Sequence, residues 1–227
     1  MSNRLSKEEL ETDPLIENYN RAVGFYHDNK TILLSLIVGL VVIIGSLVGY
    51  RYYADSQEQK AQHLLATAQN YYDQGDYESA LKGNEFELTY GFQQIADEFS
   101  GTNAGNLAIY FAGVSSFKLG NVEGAINYVS RYDVPEGILG VGPVSFLGNL
   151  YEATGDYTQA AETYVQAANW DVNESTTPFN LLKAARAYYK AGNTAQASEL
   201  TSKIIDEYAN STELSEAKKI QGMLAAK

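Results

Sequence analysis

A seven-residue phrase returns four times along this chain: GDYESAL at Gly75–Leu81, GNVEGAI at Gly120–Ile126, GDYTQAA at Gly155–Ala161 and GNTAQAS at Gly192–Ser198. Each copy opens on Gly followed by a polar Asp or Asn and carries Ala five residues after the Gly. Gly followed by such a residue ends one helix and caps the next. The last three copies are 35 and 37 residues apart. The spacing predicts a helix–turn–helix unit repeated along the chain. Such a unit cannot bury its apolar face alone and must stack on its neighbours.

Setting each of these glycines at position 15 of a 34-residue unit orders what surrounds it. Around Gly155, position 8 is Gly148, 11 is Tyr151, 17 is Tyr157, 20 is Ala160, 24 is Tyr164 and 27 is Ala167. Small residues at 8 and 20 let two antiparallel helices pack closely, and the aromatics wedge between units. The pattern resembles the tetratricopeptide repeat. The Gly120 unit follows it with Ile109, Gly113, Val122, Ala125 and Tyr132, and the Gly192 unit with Leu181, Ala185, Tyr188, Ala197 and Ile204. The Gly75 copy departs from it. There Tyr71, Tyr77 and Ala80 fit, but positions 24 and 27 fall on Asn84 and Glu87, and the next repeat Gly stands 45 residues on. The stretch from Gly83 to Gly91 therefore reads as a loop inserted into a degenerate first unit, with helix resuming at Phe92. Near the end, Leu214, Ala217, Ile220 and Leu224 share one helical face, as in a capping helix.

A second constraint lies upstream. Residues 31–50, TILLSLIVGLVVIIGSLVGY, run for twenty residues without a charge, long enough for a helix to cross a hydrocarbon core. Lys30 and Arg51 bracket the run, and Phe25, Tyr26, Tyr50, Tyr52 and Tyr53 stand where interfacial anchors stand. A buried helix of a soluble domain rarely runs so long without a polar face. A cleaved signal peptide fits worse, because thirty residues precede the run and RYYADSQEQ offers no small-x-small site. Arg21 and Lys30 before the run balance Arg51 and Lys60 after it, so charge leaves the orientation open. Ser35, Gly39, Val42, Ser46 and Gly49 fall within about 80° of one another on the helix. Such a stripe lets a second helix come close, although small residues are also simply common in membrane helices. Leu15, Ile16, Tyr19, Ala22, Val23 and Tyr26 keep near-helical spacing. They predict an amphipathic helix running into the span, lying at the membrane surface or against a partner. Ser6 and Glu9 have the spacing of a capping box on a shorter turn before it.

The expected fold class is therefore all-α: a tail over 1–30, a single transmembrane helix over 31–50, a linker helix over 51–60 and a tetratricopeptide-repeat-like α-solenoid over 61–227. The solenoid divides into a degenerate unit 61–105, units 106–135, 141–172 and 178–210, and a capping helix 211–227.

Composition narrows the function. The net charge is −12 and no run of basic residues occurs, which argues against nucleic acid. Residues 51–227 hold 12 Lys or Arg and 22 Asp or Glu, a balance of −10. That predicts a solvated acidic outer face that stays off anionic lipid. With no Cys there is no disulfide and no thiolate metal site. His27 and His63 lie on opposite sides of the span, and carboxylates alone make a poor zinc site. Asp97–Glu98 and Asp206–Glu207 read as solvated helix ends. GVGPVS, Gly140–Ser145, lacks the third glycine and the preceding strand of a dinucleotide fold and reads as an inter-repeat turn. GVSSF ends on Phe117 where a nucleophile elbow needs Gly. The glycosylation tripeptides at Asn29, Asn173 and Asn210 matter only in a eukaryotic secretory route. The expectation is a protein with no catalytic centre, cofactor, metal or small-molecule substrate.

The span and the repeats together resemble the YfgM-like membrane-anchored tetratricopeptide proteins, most nearly the forms found in Bacteroidota. The segments that carry the resemblance are FYHDNKTILLSLIVGLVVIIGSLVGYRYY, GFQQIADEFSGTNAGNLAIYFAG, GILGVGPVSFLGNLYEATGDYTQAAETYVQAA and TTPFNLLKAARAYYKAGNTAQA. The resemblance implies a single-pass protein of the bacterial inner membrane, with a cytoplasmic N-terminus and a periplasmic repeat domain. It also implies an ancillary role in protein export at the Sec translocon, beside a membrane-anchored periplasmic prolyl isomerase and other chaperones. Rival expectations are a scaffold in outer-membrane assembly or motility, and a holdase that binds client chains.

In a tetratricopeptide array, positions 2, 5, 9, 12 and 13 of the first helices line a concave groove. Mapped here they are Leu107, Tyr110, Val114, Phe117 and Lys118, then Gly142, Ser145, Asn149, Glu152 and Ala153, then Phe179, Leu182, Arg186, Tyr189 and Lys190. Aromatic and aliphatic groups beside three cations suit an extended peptide or a partner helix. The plainer use of several of them is packing between repeats.

Overall fold

A computed structural model describes residues 14–226, which fall into two units meeting between Ser56 and Gln57. The Ser6–Glu9 capping box lies outside the described residues. Helix α1 runs without interruption from Pro14 to Asp73, 60 residues. Tail helix, span and linker are thus one element, because nothing between Pro14 and Gly75 breaks a helix. Pro14 occupies the first helical position, where its missing N–H leaves no bond unmade.

Among the described residues nothing buries the apolar run of the helix in the first unit. Leu36, Val38, Val41 and Leu47 are each at least 60% exposed, and the helix is long and apolar enough to cross a membrane. A Cβ added at Gly39 or Gly49 would meet nothing within 4 Å. The small-residue stripe therefore faces open space among the described residues.

The second unit begins in the last turns of α1. It continues through α2 (Tyr77–Lys82), strands β1 (Gly83–Asn84) and β2 (Thr89–Tyr90), α3 (Phe92–Glu98), α4 (Asn103–Lys118), α5 (Val122–Val129) and α6 (Ile138–Thr154). Then come α7 (Tyr157–Trp170), α8 (Thr176–Lys190), α9 (Thr194–Glu207) and α10 (Leu214–Ala225). From α4 onward each helix packs on the next in chain order, the arrangement of a solenoid.

The repeated phrase does what its chemistry predicts. Gly75, Gly120, Gly155 and Gly192 all take φ between +80° and +83°, a region that side chains avoid. At Gly155 the Gly N–H donates to the Glu152 carbonyl at 3.1 Å and the Asp156 N–H to the Tyr151 carbonyl at 3.0 Å. This pair of bonds closes a helix C-terminus, and the other three glycines repeat it. The next residue then starts the following helix. Asp76, Asn121 and Asp156 accept from the backbone N–H of Ser79, Gly124 and Gln159. Asn193 holds the same place without a side-chain bond. The alanines five residues after the glycines, Ala80, Ala125, Ala160 and Ala197, are all 0% exposed.

Positions 8 and 24 are matched in size. A Cβ on Gly148 would stand 2.6 Å from the Tyr164 ring, and one on Gly113 2.5 Å from Val129 Cγ2. In the last unit the pair is Ala185 and Thr201, both 0% exposed. Where the first helix gives up its side chain, the second fills the gap with a ring or a branched chain.

Two expectations need correction. The insertion between Gly83 and Gly91 is a short antiparallel hairpin rather than a loop, pairing Gly83 with Tyr90 and Asn84 with Thr89. Helix resumes at Phe92 as expected, and Phe92 joins Ala61, Leu65 and Ala68 in the first core cluster. GVGPVS lies inside α6, not in the inter-repeat turn. The turn is set earlier, at Gly137 with φ +69°. Gly140 is pressed against Trp170, whose indole N–H donates to the Pro135 carbonyl at 2.9 Å. Pro143 sits early in the helix, where it removes one hydrogen bond without ending it.

Within the second unit, Glu58 of α1 caps α4. The Glu58 carboxylate accepts from the Asn103 and Ala104 N–H groups at 2.7 and 3.2 Å, at the positive end of α4. Glu58→Ala is expected to lower stability by about 1–2 kcal/mol. A thermal melt of the full chain followed by circular dichroism checks this, and an unchanged midpoint would mean that water replaces the carboxylate without loss.

Candidate functional site

The first helices of the last two regular units, α6 and α8, flank a cleft of about 350 Å³. Ile138, Phe146 and Phe179 supply its apolar wall, and Ser145, Asn149, Asn180 and Lys183 its polar side. Phe179 remains 48% exposed, so the cleft opens to solvent beside an aromatic ring.

Lys183 is the central cation. Its Nζ donates to Asn149 Oδ1 at 2.5 Å and Ser145 Oγ at 3.3 Å. It also lies 4.3 Å from the centroid of the Tyr164 ring and 5.3 Å from that of Phe179. These partners are neutral; among the described residues no carboxylate comes within ion-pair range of it. Burial pushes its ammonium down to about 8, against the opposing pull of the Glu152 charge. Asn180, 1% exposed, donates to the Thr176 carbonyl and leaves its Oδ1 without a partner.

One turn further along, Glu152 organises a second polar group. It accepts from Lys190 Nζ at 2.6 Å, and the Tyr164 hydroxyl lies 3.0 Å from its Oε2 and 2.8 Å from Asn149 Oδ1. Burial works to raise the Glu152 carboxyl. The Lys190 and Tyr164 bonds, with the charges of Lys190 and Lys183, outweigh it and leave Glu152 below the usual carboxylate range. Burial and the Glu152 charge push the Tyr164 phenol strongly up, so it remains a neutral donor. Lys190 is pulled up, chiefly by its bond to Glu152.

The fold gathers Gly142, Ser145, Asn149 and Phe179 of the expected groove into the cleft, with Glu152 and Lys190 at its end. Arg186 is exposed and pairs with Glu216 of α10 at 3.5 Å, Tyr189 is half-buried and Ala153 exposed. Leu182 does not belong to a groove. It is 6% exposed and packs with Ile204, Tyr208 and Ile220 in the last core cluster, because α9 and α10 cover that side of α8. The residues of α4 form a seam more than a groove. Tyr110 lies against Tyr132 and Phe146, with ring centroids 5.2 and 6.1 Å away, and Phe117 meets the same Phe146 at 5.7 Å. Leu107 packs on the first core, Val114 is half-buried, and exposed Lys118 reaches over the Tyr77 ring at 6.0 Å.

The groove mapping missed Lys183, Asn180 and Phe146. A signal for Lys183 existed: in NLLKAARAYY it is a cation flanked by apolar residues, the setting in which a lysine stem lies along apolar surface. Among the described residues no group of three His, Cys, Asp or Glu side chains is placed to hold a metal ion.

The position of Lys183 has a pH signature. Its folded value of about 8 lies below the unfolded 10.5. The burial penalty is therefore carried in full below pH 8 and relieved as pH rises from 8 toward 10.5, where only the unfolded chain still holds the proton. Lys183→Met is expected to melt higher than the native chain at about pH 7, with that advantage shrinking by about pH 9.5. A constant difference across the range would mean that Lys183 is not desolvated.

Comparison with known proteins bears on the fold. Residues 180–211, from α8 into the turn after α9, match the tetratricopeptide repeat family. No curated protein matches the sequence. Among solved structures, the chain is similar to nearly identical TPR-like repeats from Podosopora anserina, ascribed to a kinesin light chain. That likeness has a TM-score of 0.54 at 15% identity and covers 73% of this chain and 89% of that one. A singly substituted form of the same repeats gives 0.52 at 14% identity, covering 74% and 94%. At such identities the likeness speaks for the fold alone. The fold of this protein is a tetratricopeptide-like α-solenoid preceded by one long apolar helix.

Proposed function

We propose that this protein is a non-catalytic docking subunit, held to the bacterial inner membrane by the apolar part of α1 and presenting its solenoid to protein partners in the periplasm. Tetratricopeptide arrays act as interaction scaffolds, which supports a module of this kind. The observation that carries the reading is the α6–α8 cleft, where an aromatic wall surrounds a cation with only neutral partners. An acidic peptide segment with an aromatic side chain would supply both a ring contact and a carboxylate in direct contact with the ammonium.

The resemblance of the span-plus-repeat sequence to the YfgM-like proteins supports a finer reading. The partner is the Sec translocon, together with a membrane-anchored periplasmic prolyl isomerase, and the task is assistance to exported chains. The stripe from Ser35 to Gly49 serves as the surface on which a partner's membrane helix packs.

Purification of the tagged full-length protein in mild detergent, with mass spectrometry of what accompanies it, tests this. Translocon subunits and the isomerase are the expected companions, and Gly39→Leu with Gly49→Leu should deplete them. Recovery of an outer-membrane assembly or motility complex without the translocon would keep the docking module and discard the export role. Suppression of client aggregation by the protein alone would favour a holdase.

A further inference from the structure

The β1–β2 hairpin is a braced structure with an apolar tip. Asn84 Oδ1 accepts from the Phe86 and Glu87 N–H groups at 3.0 and 3.3 Å. Thr89 Oγ1 accepts from the Asn84 N–H at 3.1 Å, and the Tyr71 hydroxyl donates to Glu87 Oε2 at 2.5 Å. At the base, a Cβ on Gly91 would collide with the Gly83 nitrogen, so the two strands close only with glycine there. This frame holds Phe86 100% exposed and Leu88 88% exposed, with Leu88 at φ +53°, a conformation that side chains adopt at a cost. A rigid turn that keeps a Phe and a Leu in water is preorganised for contact.

The charges beside the tip select what it contacts. Glu85 and Glu87 flank Phe86, and Glu85 has no hydrogen bond or ion pair among the described residues. Two carboxylates turn the tip away from anionic lipid and toward an apolar pocket that carries a cation. This chain contains such a pocket: the α6–α8 cleft, with Phe146 and Phe179 on its wall and a Lys183 ammonium that bonds directly only to the neutral Asn149 and Ser145. Phe86 is fully exposed, so it does not occupy the cleft of its own chain.

We propose that the hairpin tip of one copy docks into the α6–α8 cleft of a second copy, placing Phe86 between Phe146 and Phe179 and the Glu85 carboxylate on Lys183. The contact joins two different surfaces, so it builds a ring or an open row of copies. Copies held in one membrane by the apolar helix share one direction and a confined space, which raises the effective concentration for a contact of small area. A docked copy occupies the cleft that a partner segment would use, so self-association and partner binding exclude each other.

The chain lacks Cys, which makes the test direct. Full-length Leu88→Cys and Gly142→Cys chains carrying different tags keep Phe86 and Phe179 in place. Leu88 is 88% exposed at the tip, and a Cβ at Gly142 on the cleft wall meets nothing within 4 Å. The two chains are reconstituted together in lipid vesicles and joined with a short bis-maleimide. A product carrying both tags is expected at about tenfold the yield given by Leu88→Cys with Gln196→Cys, an exposed position outside the cleft, and Glu85→Lys should lower it by about tenfold. Equal yields from the two pairs, or a product indifferent to Glu85→Lys, would overturn the proposal. So would capture of the Leu88→Cys tip by a maleimide carried on lipid in place of the second copy. Glu85 is exposed and makes no polar bond among the described residues, so its reversal leaves the fold intact. The result is independent of which partners accompany the purified protein.

Discussion

Tyr164→Ala is expected to remove about 4 kcal/mol of stability, the usual cost of emptying a fully buried aromatic site, and to lower the melting midpoint by roughly 10 °C. The ring is 0% exposed and presses on Gly148, where even a methyl would stand 2.6 Å from it. The helix cannot close over the gap, because Gly148 offers no side chain to fill it. Tyr164→Phe separates the ring from its hydroxyl. It keeps the wedge and loses the bonds to Asn149 and Glu152, at a cost of about 1 kcal/mol, since Lys183 and Lys190 still serve those two acceptors. Thermal melts of both variants decide between the contributions. If Tyr164→Phe proves as damaging as Tyr164→Ala, the polar group rather than the wedge holds α6 to α7.

The second large effect is expected in the apolar helix. Placing Asp at both Val38 and Val42 puts two carboxylates near the centre of the twenty-residue run, at about 3 kcal/mol each for insertion. The native chain should stay with membranes through alkaline carbonate extraction and the double variant should be released. The solenoid of the released chain should keep its helical signal, since Val38 and Val42 lie in the first of the two units. Retention of the double variant would mean that contacts other than the span hold the protein at the membrane.

Much of the fold was legible because its signals are local. The Gly-Asp and Gly-Asn turns close through bonds that reach back only three to five residues, from Gly155 to Glu152 and from Asp156 to Tyr151. Asp76 and Asp156 then cap the next helix three residues on. A reader of the chain needs only a short window to find them. The hairpin escaped for the opposite reason. Its strands are two residues long, too short to show a period, and its brace comes from Tyr71 in α1, which reaches across to Glu87. GVGPVS misled because two glycines and a proline signal a turn, while the packing of Trp170 on Gly140 holds that stretch in the helix.

The candidate site was only half visible. Repeat position named Asn149 and Phe179, which line the cleft, and Glu152 and Lys190, which bond to each other one turn beyond it. It also named Leu182, which α9 and α10 bury, and passed over Lys183, which lies beside it in the chain. A step of one residue turns a helix by about 100°, so which of two neighbours meets solvent depends on the angle at which the next helices cross. By itself the sequence determined the helices, their turns and caps, the matched small and large residues, and the apolar run, because each follows from residues within a few turns of one another. The tertiary structure decided that a lysine sits desolvated between two repeats and that a phenylalanine and a leucine stand in water on a braced hairpin. Both depend on how distant helices pack, and no local pattern records that.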